Sequence, residues 1–178
     1  MIRFAAICST GGSVLRHACE DAAVRSGFEL LITDRECGAQ TLPAAEHVRI
    51  PWTDREGFGR AAAAALDAAG LDVALVFFTR ILGGELLAPR FRLVNFHPSL
   101  LPAFPGMHAV EAALAAGVRV IGSTAHLVDE GVDTGRILDQ AWFPVEPGAD
   151  PVAVRHRIFE DQVRTVRKLV RSLDALAA

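Results

Sequence analysis

Tyrosine is absent from this 178-residue chain, lysine occurs once, at Lys168, and asparagine once, at Asn95, against 17 arginines. A strong nucleotide bias in the coding DNA would thin out Lys and Asn wherever Arg, Asp or Ser serves as well. The single Asn95 therefore marks a position where chemistry leaves little substitute. Cys8, Cys19 and Cys37 are odd in number and lack C-x-x-C spacing. That excludes a disulfide framework and a zinc knuckle. No apolar run approaches the ~20 residues of a membrane span, and Leu71–Phe78 has only the length of a strand. The net charge of -3 gives no general attraction to nucleic acid or anionic lipid. Basic residues cluster only at Arg164, Arg167, Lys168 and Arg171, at the spacing of a solvated helix face. Residues Ile2–Cys8 read as a strand and lack a signal-peptide layout, so a cytoplasmic protein is expected. There is no G-x-S-x-G to support a serine hydrolase, and Ser9–Ser13 is not G-x-G-x-x-G.

What is present can bury a full core: 51% of residues are apolar and 22% charged. At ~150 residues per domain, one domain over residues 1–178 is expected. Strands are expected at Ile2–Cys8, Phe28–Thr33, His47–Ile50, Val73–Phe78 and Arg92–Phe96. A helix runs from the Gly11–Ser13 loop to about Arg25. A second opens at a capping box, Thr53 to Glu56, and stops at Gly70. This alternation predicts an α/β, doubly wound, mainly parallel sheet. After a helix from about His108 to Ala116, strands at Val118–Val128 and Arg136–Phe143 are joined by a short turn, which suits an antiparallel pair. Pro151 then opens a final helix to about Leu176. Residues 1–100 form a Rossmann-like half and 101–178 a C-terminal half. Ligands collect at the carboxyl ends of parallel strands. Here those ends lead into Ser9–Gly12, Thr79–Gly84 and His97–Gly106.

The densest chemistry lies in Asn95-Phe96-His97-Pro98-Ser99-Leu100-Leu101-Pro102. An amide and an imidazole two residues apart on a strand point the same way. Two converging donors suit a developing oxyanion. The plainer alternative makes Asn95 a turn cap and His97 an ordinary strand-end residue. Further on, Asp129-Glu130-Gly131-Val132-Asp133-Thr134-Gly135 reads either as a solvated turn or as the source of a carboxylate, Asp133, facing Asn95 and His97. In that place Asp133 would hold His97 protonated and accept a proton.

Together with Phe104-Pro105-Gly106 and Gly122-Ser123-Thr124-Ala125-His126, these segments resemble the folate-dependent formyltransferases. The similarity is strongest over residues 73–145 and is to the single-domain type that formylates glycinamide ribonucleotide. Relatives acting on methionyl-tRNA carry a further C-terminal domain, for which this chain is too short. The resemblance implies a formyltransferase fold and 10-formyltetrahydrofolate as co-substrate, with no metal. It implies a small, possibly phosphorylated amine as acceptor, and neither nucleic acid nor membrane as partner. The enzyme would be a monomer or homodimer. Asn95 and His97 would stabilise the oxyanion, Asp133 would assist proton transfer, and His126 and Thr124 would support them. Phe78, Thr79, Arg80, Ile81 and Leu82, with Val128, Asp129, Glu130, Gly131 and Val132, match the segments that enclose the pterin.

Acceptor-side counterparts are Gly11, Gly12, Ser13, Val14, His108 and Gln162. Two of them depart from the family pattern: Val14 stands in place of Asn, and Gln162 in place of an acidic residue. Those departures leave room for another amine, such as an amino sugar, an amino acid or a peptide. Hydrolysis of the formyl donor, or mere binding of a folate or nucleotide, are more distant alternatives. Relatives that hydrolyse the donor carry an additional N-terminal domain, and binding alone would not need Asn95, His97 and Asp133 together.

Overall fold

The computed structural model describes residues 2–172. Five strands pair in parallel: β1 (Phe4–Cys8), β2 (Phe28–Thr33), β3 (Glu46–Arg49), β4 (Val73–Phe77) and β5 (Arg92–His97). Two more, β6 (Val120–Leu127) and β7 (Ile137–Pro144), extend the sheet antiparallel, giving the order β3-β2-β1-β4-β5-β6-β7. The helices are α1 (Ser13–Ala18), α2 (Ala22–Gly27), α3 (Arg55–Ala69), α4 (Ala109–Ala115) and α5 (Pro151–Ser172). The α/β, doubly wound, mainly parallel sheet with its antiparallel end is thus as expected.

The central strands are apolar on both faces because helices cover both. Along β1, Phe4, Ala6 and Cys8 join a core with Leu15 of α1, Val24 of α2 and Val166 of α5. The alternate residues Ala5 and Ile7 join a second core with Phe58, Ala62 and Leu66 of α3. A third cluster packs Ile121 of β6 and Phe143 of β7 against Val110 of α4 and Val154 and Ile158 of α5. The basic stripe of α5 does more than face water: Arg167 pairs with Glu20, Arg171 with Asp21 and Lys168 with Asp139. These pairs tie the helix to the α1–α2 segment and to β7. In each pair at least one partner is well exposed, and each contributes about 0–1 kcal/mol.

Local departures from expectation have physical causes. The first helix breaks in two because the Asp21 carboxylate accepts the Ala23 N–H and starts a new helix at α2. The cap of α3 lies one residue later than the Thr53–Glu56 box: Asp54 accepts the Gly57 N–H at 2.7 Å. Gly70 ends α3 at a left-handed φ of 63°, as read. Other boundaries shift by one or two residues. The final helix begins at Pro151 as expected, while the stretch up to Leu176 lies partly outside the described residues.

The antiparallel pairing of β5 with β6 was not foreseen. At Gly122 the two outermost strands run so close that a Cβ would lie 1.9 Å from the Ala141 carbonyl oxygen. Gly122→Ala is therefore expected to cost about 1–3 kcal/mol, read as a lowered urea midpoint. An unchanged midpoint would show that β7 can move aside freely.

Candidate active site

Strand register assembles the site. In the antiparallel β5–β6 ladder Asn95 lies opposite His126, and His97 lies opposite Thr124. Directly opposed residues share a face, so all four side chains project from the same side of the sheet. β7 continues the row by placing Gln140 opposite Thr124. The loop between β6 and β7 then returns Asp133 over this patch at a left-handed φ of 55°.

Asp133 is the centre of the cluster. Its Oδ2 accepts the Gly106 N–H at 2.7 Å and faces His97 Nδ1 at 3.1 Å. Its Oδ1 lies 3.4 Å from both Asn95 Nδ2 and His126 Nε2. Asn95 Nδ2 is also 3.2 Å from His126 Nε2. The opposite nitrogen of each ring faces a main-chain carbonyl: His126 Nδ1 sits 2.9 Å from Leu127 O, and His97 Nε2 sits 2.8 Å from Phe104 O. A carbonyl only accepts, so both of those nitrogens carry hydrogen. The Asp133 carboxyl is held below the usual carboxylate range. The His126 hydrogen bond is the main cause, helped by the Gly106 N–H and by the positive charges of His97 and His126, against the opposing effect of burial.

The loop 98–106 is fastened from beneath. Thr124 Oγ1 donates to Ser99 O at 2.7 Å and accepts from Leu101 N–H and from Gln140 Nε2, both at 3.0 Å. Gln140 Nε2 also donates to Leu101 O at 2.9 Å. The Leu101–Pro102 peptide is cis. Thr124 thus supports the site through the loop, not by touching Asp133. Gln140 had not been singled out, since its partners lie 16 and 39 residues away in sequence. Only the β6–β7 register could have pointed to it. Phe104, His108 and Asp133 all have left-handed backbones at φ of 55–60°. Such strain costs about 1–3 kcal/mol per residue and gathers where a surrounding network fixes the chain.

A cleft of about 310 Å³ opens above Asn95, His97, His126 and Asp133. Phe78, Thr79, Arg80, Ile81 and Leu82 form one wall, and Val128, Asp129, Gly131 and Val132 another. Glu130 is the exception. It turns outward to pair with Arg55 at 2.6 Å, while Arg55 Nε also holds the Leu82 carbonyl. The Thr79 N–H is likewise taken, by Ser9 Oγ at 2.9 Å. Arg80 lies over the Trp52 ring at 5.0 Å and pairs with the buried Asp34 at 3.3 Å.

A second cavity of about 410 Å³ shares Phe96 and Pro98 with the first and contains His108 and Gln162. Gln162 Nε2 donates to Phe96 O at 3.2 Å. The other acceptor-side candidates, Gly11, Gly12, Ser13 and Val14, line neither cavity. The Val14 side chain lies in the core cluster that contains Leu42, so only its main chain can face a ligand. Phe159, which also lines the second cavity, packs edge-on against His17, whose Nδ1 is 2.9 Å from Ser13 O. Cys8 is inert: burial pushes its thiol up to about 12. Among the described residues no group of His, Cys, Asp and Glu could hold a metal ion, and no helix is long and apolar enough to cross a membrane.

The cleft over an amide, two imidazoles and a carboxylate lies at the carboxyl end of a parallel strand, where α/β sheets gather ligands. Residues 16–170 match the family described as formyl transferase. The chain belongs to that family and is a formyltransferase. Phosphoribosylglycinamide formyltransferase of Mycobacterium tuberculosis (strain ATCC 25618 / H37Rv) is 40% identical over 186 residues, covering 98% of this chain and 85% of that protein. Glycinamide ribonucleotide transformylase 1 from Symbiobacterium toebii is 32% identical at a TM-score of 0.86, over 97% of this chain and 87% of that one. Its counterpart from Geobacillus kaustophilus is 30% identical at a TM-score of 0.86, over 97% and 98%.

The lowered pKa of Asp133 has a measurable consequence. Its carboxyl carbon is expected to titrate by NMR with a midpoint below the ordinary ~3.9. The associated stability is then fully present above that ordinary value and is lost as pH falls through the lowered one. A midpoint at or above 3.9 would contradict the donor arrangement.

Proposed function

We propose that the chain, acting as one cytoplasmic domain, transfers the formyl group of 10-formyltetrahydrofolate to a primary amine. The foremost acceptor is glycinamide ribonucleotide, in de novo purine biosynthesis. The observation that carries this reading is the gathering of Asn95, His97 and His126 around Asp133 on the floor of a cleft. The largely apolar first cavity suits a flat pterin, and the second brings an amine to the shared wall at Phe96 and Pro98.

The amine nitrogen attacks the formyl carbon, and the carbonyl electrons move to oxygen. Asn95 and His97 stabilise the oxyanion. The contact from Asn95 to Asp133 is long, at 3.4 Å, so exchanging it for an oxyanion costs little. Asp133 takes the proton lost by the amine, directly or through water. Collapse of the intermediate breaks the bond to the folate nitrogen, which receives the proton held by Asp133, directly or through water, and leaves as tetrahydrofolate. Asp133 is both close to His97 and ionised, which suits it to this task.

A different amine acceptor is a second reading, favoured by the second cavity itself. Among the described residues lining it, Arg155 is the one Arg or Lys, and it is already paired with Glu111 at 2.5 Å. Phe159 and Gln162 add an apolar ring and a neutral amide.

Purified protein with 10-formyltetrahydrofolate and glycinamide ribonucleotide should release tetrahydrofolate, followed by absorbance, only when the acceptor is present. Release without acceptor would indicate hydrolysis. No release despite folate binding would reject this acceptor and favour other amines. Asp133→Asn should lower turnover by about 10²-fold or more with folate affinity nearly intact. Asn95→Ala should lower kcat by about 10²–10³-fold, more than it raises the folate KM. A pure binding defect in Asn95→Ala would remove its oxyanion role.

A further inference from the structure

We infer that Glu130 is a specificity-determining residue: its carboxylate occupies the place on Arg55 that a carboxylate of the donor's tail takes over on binding. This role rests on 10-formyltetrahydrofolate being the donor, and it deepens that reading by making an anionic tail part of what the cleft selects.

Arg55, the first residue of α3, is pinned on one side of its guanidinium. Its stem lies flat on Gly83, where a Cβ would sit 2.7 Å from both Cγ and Cδ. Its Nε donates to Leu82 O at 3.0 Å, on one wall of the first cleft. The other side of the guanidinium points across the mouth, where Nη2 donates to Glu130 Oε2 at 2.6 Å. Arg55 is the one partner of Glu130 among the described residues, and the Glu130 side chain is 75% exposed. The loop that carries Glu130 is held without it. Asp129 Oδ1 accepts the Gly131 N–H at 3.0 Å and the Thr134 hydroxyl at 2.7 Å, and Asp133 is fastened to the cleft floor. An exposed pair of this kind adds little to stability, so exchanging it for another carboxylate costs little.

Arg80, a second cation at this cleft, is paired differently. Its partner Asp34 has a side chain 1% exposed and also binds Arg35 at 2.8 Å. A carboxylate buried among charges stays where it is, whereas Glu130 is free to swing into water. Of the two arginines, Arg55 is therefore the one whose partner can be exchanged. The folate skeleton ends, beyond its benzoyl ring, in a glutamate with two carboxylates. With the pterin enclosed in the cleft, that opposite end of the molecule lies at the mouth. A guanidinium with one side already pinned presents the remaining donors to a carboxylate in a fixed geometry. When a tail carboxylate arrives, Glu130 gives up Arg55 and turns to solvent. A neutral tail has nothing to offer Arg55 in exchange, so it leaves the pair intact and gains nothing there.

Calorimetric titration without acceptor tests this with two compounds: tetrahydrofolate, and an analogue whose benzoyl group ends in a neutral N-methylamide. Glu130→Gln should tighten tetrahydrofolate about two- to fivefold, because nothing then competes for Arg55, and leave the neutral analogue unchanged. An equal change for both compounds, or for neither, overturns the proposal, since a pair that merely holds the loop acts on both alike. In an Arg55→Gln background the gain from Glu130→Gln should vanish. The same gain there would reflect only the field of a lost negative charge, and it too overturns the proposal. Should Arg55→Gln fail to fold, Arg55→Met, which keeps the stem over Gly83, takes its place. Wild-type protein that binds neither compound would sink the donor reading and this role with it. Binding of both, with no selective gain in Glu130→Gln, sinks the role of Glu130 alone.

Discussion

A half-buried carboxylate has to find donors, and that need organises this molecule. Asp133 draws on an amide from the loop after β5, one imidazole on β5, another on β6 and the Asn95 side chain. The donors come from β5, β6 and the loop after β5, so the carboxylate fixes the relative positions of these segments as much as they fix it. Leaving such a group unpaired would cost several kcal/mol, and strain at Phe104, His108 and Asp133 is tolerated in exchange. The apolar layers supply the bulk of the stability and keep these segments from drifting. The short α1 and α2, split by Asp21, and the long α5 close one face, while α3 closes the other.

How far this was legible in the sequence differs from residue to residue. A parallel strand such as β4 announces itself by an unbroken apolar run, and α3 by its cap and its terminal Gly70. Asn95, His97 and Asp133 stood out because rare, chemically specific residues lie in a recognisable order. The row His97–Thr124–Gln140 did not, because it depends on β5–β6 and β6–β7 registers. Local composition carries no trace of a register whose partners are 16 to 39 residues apart. Val14 shows the converse. Its sequence neighbours place it in a ligand loop, yet a short helix turns its side chain into the core. Glu130 was read as part of the pterin wall, but a charged partner across the cleft mouth, Arg55, draws it outward.

The two cavities are not equivalent in construction. The first has walls from the ends of β4, β5 and β6 and a floor of interlocked polar groups, with Arg80 over the Trp52 ring and paired to buried Asp34. The second lies between α4, α5 and β5, and its polar groups are His108 at the start of α4, Glu111 on α4, and Arg155 and Gln162 on α5. Gln162 reaches the Phe96 carbonyl and so serves the framework as well as the lining.

Phe96 stands between them, nearly parallel to Phe77 at 3° and 5.2 Å, and is 8% exposed. A partition held that firmly keeps the two cavities structurally separate. Changes at Glu111, Arg155 or Phe159 touch one compartment only, whereas a change at Phe96 disturbs both. Substitutions on the helical side can therefore reshape the second cavity while the walls of the first stay as they are.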